Sequence, residues 1–257
     1  MGLPEGAEKL AIMAPTEMSA GEAAGTPGYE RCFDIVLTIL LMPLIAILAA
    51  ALAVGIYVDS PGPVIFRSRR VGRGGEPFEM LKFRKMRREA ASYPVTLEDD
   101  ERFTPIGRFL AATRMDELPQ VVNVLRGEMR LVGPRPELEC FVAQFPEQYT
   151  EILTVTPGIT GNAQLRFVDE GRLLRGLDPA NLYCEQVLPA KIEIDTEYVR
   201  SHSLVGDLSI LARTALLPIQ LLSGRLRESG ALRRWGPAVA SVTLLGAAFV
   251  LLSSQAA

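Results

Sequence analysis

Two adjacent carboxylates, Asp116 and Glu117, stand just before an apolar run at helical spacing, Leu118, Val121, Val122 and Leu125, which Gly127 closes. At the start of a helix, free N–H groups and the helix dipole favour anions, so an aspartate there stays ionised and a phosphate is also welcome. An ionised aspartate can attack phosphorus to give an acyl phosphate, and a neighbouring glutamate can hold a Mg2+ that neutralises a diphosphate. Taken alone, the pair is better explained as an N-cap aspartate followed by a first-turn glutamate. Farther on, Gly133-Pro134-Arg135-Pro136 is a stiff turn presenting one guanidinium. That planar fork suits phosphate oxygens and serves as well as a structural arginine. Pro157-Gly158-Ile159-Thr160-Gly161 is a glycine-bearing loop that can approach a ligand closely. It lacks the Walker and Rossmann spacings, which favours an ordinary loop. The basic run Arg67, Arg69, Arg70, Arg73, Lys82, Arg84, Lys85, Arg87 and Arg88 follows directly on an apolar segment. Its position points to lipid headgroups or anionic substrates and not to nucleic acid, and a solvated stretch on the cytoplasmic side accounts for most of it.

Other chemistries are excluded by what the 257 residues lack. The single histidine, His202, rules out a zinc site of several imidazoles and a pair of histidine acid/bases. Cys32, Cys140 and Cys184 stand far apart without a CxxC, which fits a reducing compartment and gives neither a zinc set nor a disulfide framework. With 48% hydrophobic and 22% charged residues, the chain is neither disordered nor collagenous.

Several elements must position these residues. Residues 35–58 are 24 positions without a charge, enough to cross a bilayer. Pro43 lies inside them, and its missing N–H predicts a kink or break near Thr38 to Met42. Two arrangements follow, a kinked span or a re-entrant helical hairpin. Residues 67–88 carry nine basic and two acidic side chains, which places that flank in the cytoplasm. Residues 64–68 and 78–83 read as a β-hairpin across Gly72, Gly74 and Gly75. Thr104-Pro105 opens a helix running to about Thr113, and Asp116 is expected to cap the next. The apolar stretch 204–222 suits a membrane interface. Residues 1–28 read as a disordered leader. At the other end, Arg225, Arg227, Arg233, Arg234 and Trp235 lead into the uncharged residues 236–257, a second membrane segment or a buried terminal helix.

Taken in order, the motifs are an apolar segment with proline, Ser60-Pro61-Gly62-Pro63-Val64-Ile65-Phe66, Leu81-Lys82-Phe83-Arg84-Lys85-Met86, Asp116-Glu117-Leu118-Pro119-Gln120, Asn123 to Met129, Leu131 to Pro136, and Pro157 to Gly161. This series resembles the bacterial sugar transferase family, the monotopic phosphoglycosyl transferases acting on polyprenol phosphate, over about residues 29–222. The resemblance implies transfer of a sugar 1-phosphate from a nucleotide diphosphate sugar to polyprenol phosphate (undecaprenyl phosphate), the first membrane step of a glycan or exopolysaccharide pathway. It implies Asp116 as the nucleophile of a covalent aspartyl-phosphosugar intermediate and Glu117 as ligand of a Mg2+ cofactor. Lys82, Arg84 and Arg135 would contact phosphates or stabilise the active site, and Pro157, Gly158, Thr160 and Gly161 would form part of the substrate site. Pro43 matches the family's helix-breaking proline and favours the hairpin. Lys85 stands where threonine is common, Glu128 and Arg130 where aspartate and serine are usual, Thr156 where a basic residue is frequent, Asn162 where tryptophan is frequent, and Met42 where serine is frequent.

The expected molecule is therefore membrane-associated and mainly α with a short β-hairpin. Residues 29–59 form a re-entrant membrane helix, residues 60–222 a compact cytoplasmic catalytic domain with interfacial helices, and residues 223–257 a basic linker and C-terminal membrane helix. It would sit in the bacterial inner membrane among membrane lipids, with its catalytic domain facing the cytoplasm. Competing functions are a non-catalytic scaffold of a glycan-assembly complex, opposed by retention of Asp116, Glu117 and Arg135, and a hydrolase, for which a lipid-acceptor site is unnecessary. The sequence leaves the sugar, the base and the oligomeric state open, a homo-oligomer included.

Overall fold

The computed structural model describes residues 28–87, 95–97, 100–174 and 178–228, with side chains through 217. Of the expected leader over 1–28, residues 1–27 lie outside the described residues, as does the apolar segment 236–257, while Gly28 opens a helix. Helix α1 (Gly28–Asp59) contains Pro43 and remains helical throughout. Of the expected kink or break, the break does not occur: proline removes one hydrogen bond, and a segment rich in Leu and Ala keeps the rest of the ladder on either side of it. Among the described residues α1 is the one helix long and apolar enough to cross a membrane. Its middle is bare of protein, with Leu40 and Ile47 each 72% exposed.

Both ends of α1 are nevertheless anchored. Strands β1 (Ile65–Val71) and β2 (Pro77–Phe83) pair antiparallel from Ile65↔Phe83 to Val71↔Pro77. Their turn uses Gly74 and Gly75 at φ 68° and 82°, a conformation that glycine adopts without a Cβ penalty. Helix α2 (Pro105–Thr113) begins as expected, with the Thr104 hydroxyl accepting the Gly107 N–H at 3.0 Å. Helix α3 (Gln120–Arg126) stops at Gly127, φ 85°. Asn123 of α3 completes the edge of β2: its Oδ1 accepts the Leu81 N–H and its Nδ2 donates to the Glu79 carbonyl. At the start of α1, Arg31 donates to the Val124 and Leu125 carbonyls in the last turn of α3. At its finish, Asp59 accepts the Ile106 N–H in the first turn of α2, and Leu52 and Ile56 pack with Phe83 and Leu110. Anchors at both ends of α1 thus belong to one domain.

Strands β3 (Arg130–Val132) and β4 (Gly158–Thr160) pair in parallel, Arg130↔Gly158 and Val132↔Thr160. Helices α4 (Leu188–Ser201) and α5 (Leu204–Glu228) follow. The largest core cluster joins Val71 of β1 to Phe141, Tyr149, Ile152, Leu174 and Tyr183, and to Leu188 and Ile192 of α4. Helix α5 buries Asp207 and Ile210 while Leu204, Val205 and Leu208 stay exposed. The protein is mainly helical with a short hairpin, as the sequence predicts.

The carboxylate pair departs from expectation. Asp116 does not cap α3; Met115–Glu117 is a single 3-10 turn, and α3 starts only at Gln120. The intervening bonds, Leu118 to Met115, Val121 to Leu118 and Val122 to Pro119, all span three residues. Pro119 explains this, because it has no N–H with which to reach back to the Met115 carbonyl.

Candidate active site

The turn before Asp116 is forced by Arg114, whose φ of 60° is the one positive value among described non-glycine residues. Its carbonyl accepts the Glu117 N–H at 3.2 Å. This left-handed residue reverses the chain out of α2 and delivers two successive carboxylates to the foot of β2, where Lys82 and Lys85 stand. A non-glycine residue in this region costs free energy that surrounding structure must offset.

Four cations surround the two acids. Lys85 Nζ lies 2.9 Å from Asp116 Oδ2. Glu117 Oε1 receives Arg135 Nη2 at 2.6 Å, with Lys82 Nζ at 3.9 Å and Arg114 Nη1 at 4.0 Å. Burial pushes the Glu117 carboxyl up, but the charges of Arg135, Lys82 and Arg114 outweigh it and hold the group well below the usual carboxylate range. Lys82 moves the other way. Its burial, then the neighbouring Arg135 charge, bring it down to about 7, against the opposing pull of Glu117 and Asp116. Glu117 in turn raises Arg135 against the effect of burial.

Arg135 is set by its surroundings as well as by its prolines. Asp195 of α4 is buried and accepts the Arg135 backbone N–H. Glu137, two residues on, accepts from Arg70 at 3.3 Å and from the Tyr183 hydroxyl at 2.7 Å. A cavity of about 560 Å3 opens between these groups, lined on one side by Lys82, Lys85, Arg114, Glu117 and Arg135 and on the other by Glu137, Glu170, Tyr183 and Lys191. Asp116 lies behind that lining. It is 1% exposed, Lys85 is the cation on its Oδ2, and its Oδ1 has no partner among the described residues.

Of the residues singled out from sequence, Asp116, Glu117, Lys82 and Arg135 are brought together; Arg84 and the Pro157–Gly161 loop are not. Arg84 is buried, and its guanidinium donates to the Ser60 carbonyl just past α1, where a cation complements the helix C-terminus. The glycine loop backs onto the Arg135 turn. A Cβ on Gly158 would meet the Gly133 nitrogen at 2.1 Å, one on Gly161 would meet the Gly133 carbonyl oxygen at 2.5 Å, and the Gly158 N–H donates to the Pro134 carbonyl. Thr160 faces α5, its hydroxyl 2.7 Å from that of Thr214. Glycine is required there for backbone-to-backbone approach between β3 and β4. Sequence reasoning missed Arg114, Asp195 and the Glu170–Lys191 pair, and gave Lys85 no role beyond the basic run. No spacing signal marks Arg114 or Asp195, since one depends on a backbone dihedral and the other on a helix 60 residues from the turn it supports.

The site can be tested for a metal. Among the described residues no group of three or more His, Cys, Asp or Glu side chains is assembled. The three cation contacts of Glu117 all fall on Oε1 and Lys85 takes Asp116 Oδ2, so Glu117 Oε2 and Asp116 Oδ1 remain as hard donors. One or two carboxylates fit Mg2+ when substrate phosphates and water complete its shell.

Paired carboxylates share four cations at one end of a cleft, in a protein that also carries a long apolar helix. The chain belongs to the bacterial sugar transferase family, whose model matches residues 26–220. It is 39% identical over 191 residues to the UDP-glucose:undecaprenyl-phosphate glucose-1-phosphate transferase of Caulobacter vibrioides, covering 72% of this chain and 67% of that one. The Escherichia coli protein of the same name is 36% identical over 72% of this chain. A UDP-N-acetylgalactosamine-undecaprenyl-phosphate N-acetylgalactosaminephosphotransferase of Aeromonas hydrophila is 35% identical over 77%. The matches span 39% and 46% of the lengths of these last two relatives.

Proposed function

We propose that the protein is a phosphoglycosyl transferase that moves a sugar 1-phosphate from a UDP-sugar to undecaprenyl phosphate through a phosphosugar bound to Asp116. One observation carries the reading: in a chain of this family, a buried aspartate beside Glu117 stands at the cationic end of a cavity of about 560 Å3, within the size range of small-molecule sites. An Asp116 carboxylate oxygen attacks the phosphorus that bears the sugar. A new P–O bond forms, the bond to the bridging oxygen breaks, and the nucleoside monophosphate leaves with that oxygen. An oxygen of undecaprenyl phosphate then attacks the same phosphorus and Asp116 is released unchanged. Lys82 and Arg135 hold the diphosphate and keep Glu117 ionised, while Arg114 sets the turn that aims both acids. Mg2+, held by Glu117 together with substrate phosphate oxygens, would neutralise charge on the leaving diphosphate.

The same proposal places the chain on the cytoplasmic face of the bacterial inner membrane, with α1 re-entrant through a bend at Pro43 that keeps the helical ladder. Support comes from the apolar, protein-free middle of α1, from the anchoring of both its ends on one domain, and from the basic excess of residues 67–88. A helix whose ends share one domain cannot carry them to opposite sides of a hydrocarbon core about 30 Å thick.

The test is incubation of the full chain with Mg2+ and a UDP-sugar labelled in the sugar, without lipid acceptor. The expected result is label bound to Asp116 with stoichiometric nucleoside monophosphate, discharged when undecaprenyl phosphate is added and absent from Asp116→Asn. Transfer at the normal rate by Asp116→Asn would refute the nucleophile, and label released as free sugar phosphate would indicate a hydrolase.

A further inference from the structure

The occlusion of Asp116 needs its own explanation. A carboxylate 1% exposed and behind the cavity lining cannot reach a phosphorus atom in that cavity as it stands. The group between them is Lys85, whose ammonium contacts Asp116 Oδ2 at 2.9 Å while its side chain, about a quarter exposed, lines the cavity. The backbone of Lys85 is clamped: its carbonyl accepts the Thr104 N–H at 3.1 Å, and the Cα of Gly107 lies so close that a Cβ there would overlap that carbonyl. Its side chain is held more loosely, with Nζ 5.8 Å from the centre of the Phe103 ring. The four-carbon stem can therefore redirect the ammonium without moving the strand end that carries it. Glu117 Oε1 already has Arg135 close by, so Lys85 is the cation assigned to the other acid.

We propose that Lys85 is a catalytic residue that exchanges partners: its ammonium covers Asp116 in the resting enzyme and moves to a non-bridging phosphate oxygen when the donor enters, baring the carboxylate. The idea rests on the proposed transferase reading for the identity of the donor. The ammonium keeps its proton throughout, and one ion pair replaces another, so no co-reactant is needed. A diphosphate offers a more highly charged partner than one carboxylate, which gives the exchange its direction. Until then the nucleophile is shielded from water and from adventitious electrophiles.

The test removes the resting partner and asks whether Lys85 still serves the ligand. UDP binding to the full chain in detergent is measured by calorimetry in Asp116→Asn and in Asp116→Asn/Lys85→Met. If Lys85 reaches the phosphate, the double variant binds UDP about tenfold more weakly or worse, the value of one charge-assisted contact. Asp116→Asn/Lys85→Arg should recover most of that loss. If Lys85 only holds Asp116, Lys85→Met has nothing left to disturb in this background, and equal affinities within about twofold would overturn the proposal. Should Lys85→Met not fold, Lys85→Gln in the same background makes the same comparison. Label transfer to Asp116 in the parent chain is followed separately. No adduct there, with the Lys85 effect on UDP intact, would sink the nucleophile assignment and leave the phosphate contact of Lys85 standing.

Discussion

Arg130 offers the sharpest energetic test of how α1 is held. Its guanidinium, on a residue 5% exposed, meets Glu30 at 2.6 Å and Asp34 at 3.0 Å, both from the start of α1, and Asp207 of α5 at 3.2 Å. Tyr198 donates its hydroxyl to Asp207 at 2.8 Å, and His202 Nε2 lies 3.5 Å from Glu30. Arg130→Met keeps comparable volume but leaves three buried carboxylates without their shared cation. Breaking a buried pair by removing one partner costs about 3–5 kcal/mol. For a chain of this size, about 2–4 °C per kcal/mol converts that to roughly 6–20 °C in Tm. The assay is thermal unfolding in detergent, comparing the parent, Arg130→Met, and Arg130→Met combined with Glu30→Gln, Asp34→Asn and Asp207→Asn. The single variant should fall into that window, and the neutral set should recover at least half of the loss, because amides carry no net charge to desolvate. A Tm for Arg130→Met within about 2 °C of the parent would refute the argument, since the three acids would then have other means of compensation.

Three further outcomes follow from the same contacts. Chelation of divalent cations should abolish label transfer to Asp116, and Glu117→Gln should weaken the response to added Mg2+; full turnover in excess chelator would remove the metal from the proposal. Burial, then the nearby Glu137 charge, push Asp195 up to about 8 against Lys191 and the Arg135 N–H, from an ordinary 3.8. Its contribution is complete below about pH 4 and is lost as pH rises through about 8. Asp195→Asn should therefore gain stability relative to the parent by a few kcal/mol between about pH 5 and about pH 8.5, and a Tm difference that stays constant over that range contradicts the assignment. Finally, Cys32 at the start of α1 and Cys140 beyond its far end are both exposed. With Cys184 replaced by serine, both should react with an impermeant maleimide from the same side of sealed, oriented vesicles; labelling from opposite sides would make α1 an ordinary span.

What was legible in the sequence shares one property: it is local. The cap at Thr104, the hairpin across Gly74 and Gly75, the stop at Gly127 and the apolar run of α1 each follow from sterics and hydrogen bonds within a few residues. Pro119 shows the limit even of local reading. Its position in the motif was plain, yet its missing N–H converts an expected helix cap at Asp116 into a separate 3-10 turn.

The chemistry-bearing motifs, and their order, were determined by the sequence alone, because residue type limits what a side chain can hold or attack. Their assembly was decided by tertiary structure. Only the fold shows that Lys85 covers Asp116, that Arg84 turns away to Ser60, and that the glycines at 158 and 161 exist so that one backbone can cross another. Arg130 meets Asp34 across 96 residues and Asp207 across 77. Nothing in the spacing of such residues specifies their meeting. It follows from packing α1 and α5 against β3, which brings distant charges within a few ångströms and leaves them one another as partners.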